Sequence, residues 1–109
     1  MDTIIATTLK YCYVEIVKNK PKNQTDLIAI IIDFFRYYSD DGANEILGLD
    51  SLNLEKIVED TVKKHLIIDL SGSFYDNPIW VENIMKVIIK CVELVISDQQ
   101  QSDIGHFGL

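Results

Sequence analysis

An all-α fold, four helices packed as a bundle, is what three features of this sequence predict. Apolar residues recur at steps of three and four in four separate segments, turn-forming residues punctuate the intervals, and no segment pair flanks a hairpin signal. With 109 residues and 48% hydrophobic content, the chain suits one domain with one core. Residues 1–97 are expected to form it, with residues 98–109 as a flexible C-terminal tail.

The first segment, residues 3–18, carries Ile4, Ile5, Leu9, Cys12, Tyr13, Ile16 and Val17 on one helical face. Asn19-Lys20-Pro21-Lys22-Asn23 breaks it, because proline cannot continue the hydrogen-bond ladder and its neighbours favour turns. Asn23 or Thr25 then caps a second helix through Tyr38, with Leu27, Ile28, Ile31, Phe34, Phe35 and Tyr38 facing inward. The β-branched run at residues 30–32 would also suit a buried strand; length and the lack of a partner strand favour the helix.

Residues 39–45 form a polar loop whose Gly42 can take a positive φ. Its carboxylates do not make a calcium loop: counting back from a sixth-position Gly42 puts Tyr37 where the first aspartate belongs. A third helix follows at residues 52–66, with Leu54, Ile57, Val58, Thr61, Val62 and Leu66 on one side and Glu55, Lys56, Glu59, Asp60, Lys63 and Lys64 on the other. Residues 67–75 read as a loop. Asn77-Pro78 opens the last helix, since proline at the first position gives up only a donor that would be unpaired. That helix runs to about Ile96 and is apolar nearly all round, so it is expected to be central or to bury a second face in a partner subunit.

A net charge of −7 and a sequence pI near 4.6 argue against a nucleic-acid binder, which relies on clustered Lys and Arg. Partners should present basic or neutral surfaces. Cys12 and Cys91, far apart on apolar helical positions, read as buried thiols. No apolar run approaches the roughly 20 residues of a membrane span, and the N-terminus carries no secretory pattern. A cytoplasmic location is the expectation. The two histidines, His65 and His106, have no Cys or His at metal-ligand spacing, and no phosphate-cradling glycine loop or nucleophile elbow is present. No self-sufficient enzyme is expected.

One stretch stands out for chemistry. In Leu47-Gly48-Leu49-Asp50-Ser51-Leu52 a loop runs straight into a helical pattern, so that Asp50 or Ser51 caps the helix and a serine hydroxyl stands exposed at its mouth beside a carboxylate. This motif resembles the attachment site of acyl and peptidyl carrier proteins, and the likeness extends downstream to Trp80-Val81, where that family's last helix would begin. The resemblance implies that Ser51 carries a 4'-phosphopantetheine arm, placed by a phosphopantetheinyl transferase, and that acyl-transferring enzymes are partners. It assigns Asp50 to the acid near the transferase's metal, Leu52 to an apolar contact, and Glu55, Glu59 and Asp60 to the docking helix. Two helical segments precede Ser51 where the family usually has one, so the fold would be carrier-like with an extra N-terminal helix. The alternative is a small acidic helical protein of immunity, inhibitor or adaptor type that binds a basic partner without a prosthetic group. A homodimer built on the last helix is a third option.

Overall fold

The computed structural model describes residues 2–37, 39–40, 45–46, 49, 51–72 and 75–107, with backbone alone for residues 2, 4, 39–40, 45–46 and 101–107. Among these residues four helices form: α1 (Asp2–Asn19), α2 (Gln24–Tyr37), α3 (Leu54–His65) and α4 (Pro78–Phe107). Each packs on its sequence neighbours, and α1 also packs on α4, so the four close into a ring around one core. This is the all-α bundle that the periodicity predicts. Between α2 and α3 the chain makes one short antiparallel pairing, β1 (Ser39–Asp40) with β2 (Glu45–Ile46), in the register Ser39 to Ile46 and Asp40 to Glu45. The loop residues 41–44, Gly42 among them, lie outside the described residues.

The core takes Cys12 and Ile16 from α1, Leu27, Ile31, Phe34 and Phe35 from α2, Leu54, Val58 and Val62 from α3, and Trp80, Ile84, Val87, Ile88, Val92 and Val95 from α4. Burying each large apolar side chain contributes roughly 1.5–3 kcal/mol. Thr8 and Thr61 are also buried. Thr61 satisfies its hydroxyl on the Ile57 carbonyl at 2.6 Å.

Local chemistry sets the ends. At the close of α1, Asn19 Nδ2 donates to the Glu15 carbonyl at 2.7 Å, and Lys20 takes a positive φ of 49° while its N–H reaches the Ile16 carbonyl at 2.9 Å. Between the two possible caps for α2 the structure chooses Asn23, whose Oδ1 accepts from the Asp26 N–H at 2.8 Å. Asn77 Oδ1 accepts from the Ile79 N–H at 2.9 Å, so Asn77 and Pro78 do open α4.

Three expectations need correction. Helix α3 begins at Leu54, two residues later than the pattern suggests, and Asn53, not Asp50 or Ser51, holds the cap position without a side-chain capping bond. A turn closed by the Leu54 N–H on the Ser51 carbonyl (3.2 Å) lets Leu49 and Leu54 both enter the core and turns Leu52 outward. Helix α4 continues to Phe107 and so covers most of the segment expected as a tail. Residues 97–104 contain neither proline nor glycine, and a helix already nucleated propagates through serine, glutamine and aspartate at small cost per residue. Finally, α4 takes a place in the ring like the other three and is not central. Its 30 residues, about 45 Å at 1.5 Å per residue, set the 50 Å long dimension. No described helix is long and apolar enough to cross a membrane.

Candidate functional site

Around Ser51 the geometry differs from an open helix mouth. The Ser51 Oγ is buried and has no hydrogen-bond partner among the described residues, three residues ahead of the α3 start. Asp50, the expected acid beside it, lies outside the described residues. Asn53 turns toward α4 and donates to Asp98 Oδ1 at 3.0 Å. Leu52 is 92% exposed. A phosphopantetheine arm needs the serine oxygen to reach a transferase, and a buried oxygen does not fit that requirement as it stands.

The three acids assigned to docking, Glu55, Glu59 and Asp60, are exposed on α3. Two of them meet cations of this same chain. Glu55 lies 3.5 Å from Arg36 of α2, and Glu59 binds Lys63 one turn on at 2.7 Å, a contact that holds the Glu59 carboxyl below its usual range. These contacts occupy part of the acidic face.

A second acidic feature escaped the sequence reading. Glu15 and Asn19 of α1 face Ile30, Asp33, Phe34 and Tyr37 of α2 across a groove of about 370 Å³. The positions are four apart on α1 and follow a three-four-seven spacing on α2, so each helix contributes one stripe beside its core stripe. Asn19 Nδ2 stands 3.4 Å from Glu15 Oε2 and steadies that carboxylate at the rim. Phe34 is buried and forms the apolar floor, while Tyr37 is 74% exposed at the edge. Two carboxylates over an aromatic floor, with no basic residue in the lining, suit an incoming lysine or arginine side chain. The missing signal was the pairing of two stripes on different helices, which periodicity along one helix does not reveal.

Cys12, Cys91 and His65 are the other chemistry-bearing side chains singled out from the sequence that the structure describes; the His106 side chain lies outside the described residues. Cys12 and Cys91 are buried free thiols. His65 ends α3, and partial desolvation with Lys64, Lys86 and Lys90 around it lowers its pKa from the ordinary histidine value. Its carbonyl accepts from Asn83 Nδ2 at 2.9 Å. Among the described residues no three His, Cys, Asp or Glu side chains are grouped to hold a metal ion. No protein-family model, curated protein or solved structure matches this chain.

Proposed function

We propose that this protein is a small acidic helical interaction protein that binds a basic protein partner, taking a cationic side chain into the α1–α2 groove and using no prosthetic group. The observation that carries the reading is that Glu15 and Asp33 line one groove with Phe34 and the exposed Tyr37. Carboxylates lining a partly apolar groove can form charge-assisted hydrogen bonds to a guanidinium, whose planar face also packs on an aromatic ring. The net charge of −7 would speed encounter with a basic partner, and the association rate should fall as salt rises.

The test is an NMR titration with a hexa-arginine peptide as probe, beside the Glu15→Gln/Asp33→Asn variant. Shifts concentrated at Asp33, Phe34 and Tyr37, and lost in the variant, are expected. Shifts confined to the Glu55, Glu59 and Asp60 face of α3, or equal binding by the variant, would refute the groove.

One observation favours the carrier reading: Leu52, directly after Ser51, is 92% exposed and offers an apolar contact. The buried Ser51 Oγ counts against it. Intact mass after incubation with coenzyme A and a broad-specificity phosphopantetheinyl transferase separates the two. A gain of one phosphopantetheine on the wild type and none on Ser51→Ala would establish the carrier in place of the interaction protein.

A further inference from the structure

The outward face of α4 carries a second groove, of about 580 Å³, floored by Val81, Met85 and Ile89 with Tyr75 and Pro78 at one end. A smaller one, about 240 Å³, lies on the other side of the same face between Ile67 and Ile79. Glu82 and Lys86 line both grooves, so they form the ridge between them. Tyr75, Ile67 and Ile79 are large apolar residues left exposed here; Ile79 is 66% exposed. A helix face that leaves such apolar residues exposed beside its charges is a surface that a partner can cover.

We propose that this face binds a second copy of this chain, with the two α4 helices antiparallel about a two-fold axis level with Asn83 and Ile84. The argument is the order of charges along the face. Asp76 and Glu82 come first, then Lys86 and Lys90. Such an order is self-complementary when the strip is turned end for end. An axis at that level sets Asp76 against Lys90 of the second copy and Glu82 against its Lys86, each pair occurring twice. The same axis sets Val81 against Met85 and Pro78 against Ile89, all four in the larger groove, so the apolar floor also meets itself. A parallel arrangement would oppose like charges along the whole strip, so the charge order selects the antiparallel one. In a two-fold interface the same patch serves both partners, which is the condition this strip meets. Lys90 already lies 3.7 Å from Glu93, but both side chains are about half exposed, and such a pair exchanges partners at little cost. This interface is independent of the α1–α2 groove, and either can fail without the other.

Sedimentation velocity over a wide concentration series tests it, with melting curves to confirm that each variant folds. The wild type is expected to dimerise. Lys86→Glu/Lys90→Glu should make the strip wholly acidic, and Asp76→Lys/Glu82→Lys wholly basic; each alone should weaken the dimer at least about tenfold through repulsion. Mixed in equal amounts, the two variants should pair with each other, because every acid then meets a lysine. A wild type that stays monomeric throughout overturns the proposal and leaves the face to a different protein. So does a mixture that fails to pair, or either folded variant dimerising as well as the wild type. Should the basic variant not fold, the acidic one decides alone: an unweakened dimer overturns the proposal, and a weakened one upholds it.

Discussion

Asn83 and His65, eighteen residues apart, are joined by a hydrogen bond of 2.9 Å from the Asn83 side-chain amide to the His65 carbonyl. The same side chain accepts from the Ile67 N–H at 3.0 Å. One buried amide of α4 thereby satisfies a carbonyl at the end of α3 and a donor in the loop beyond it, where the helix leaves both without intrahelical partners. Asn83→Ala removes both bonds from a part-buried site in which Ile67 is exposed, so the loss is about 1–2 kcal/mol in total. The melting temperature should fall by about 5 °C or more. A variant that melts like the wild type would mean that water replaces the amide.

Ser51→Ala separates capping from carriage. The buried Ser51 hydroxyl makes no hydrogen bond to any described residue, so its removal deletes a polar group that gains little from folding. Stability should be unchanged or higher by up to about 1 kcal/mol in urea unfolding. A loss of about 0.5–2 kcal/mol would instead show that the hydroxyl caps α3 after all.

At the end of α1, Lys20 holds a positive φ of 49°. A side chain with a Cβ is strained there and glycine is not. Lys20→Gly is expected to stabilise the protein by about 0.5–1 kcal/mol, because relief of strain outweighs the extra freedom of the unfolded chain. A lower melting temperature would contradict the left-handed conformation.

The two thiols predict a pH dependence. Burial pushes Cys91 up to about 12, although the Thr61 hydroxyl nearby offsets part of the shift. Burial, with Cys91 and Glu15 as neighbours, also raises Cys12. In the unfolded chain a thiol ionises near about 8.5, so between about 8.5 and 12 the unfolded state binds fewer protons than the folded state. Stability therefore falls as pH rises through that window, by up to about 1.4 kcal/mol per pH unit for each thiol. Urea unfolding across the range should show the slope, reduced in Cys91→Ala. Neither thiol should react with an alkylating reagent until the chain unfolds.

The helices themselves were legible because each is written locally. Leu27, Ile31, Phe34 and Phe35 recur at helical spacing, Asn77-Pro78 carries its own start signal, and the absence of any break before Gly105 is equally local, although the weak apolar face there led to a tail being expected. Tertiary structure decided what depends on two segments meeting. The α3 start moved to Leu54 because a turn brings both Leu49 and Leu54 into one core. The same turn buried the Ser51 oxygen that the motif alone would expose. Asn83 became a clasp through the position of His65 and Ile67 beside it, and Glu15 came to face Asp33 only because α1 and α2 pack together. Periodicity reports which face of a helix turns inward; which residues of another helix it then meets is fixed by long-range packing, which no single window of sequence contains.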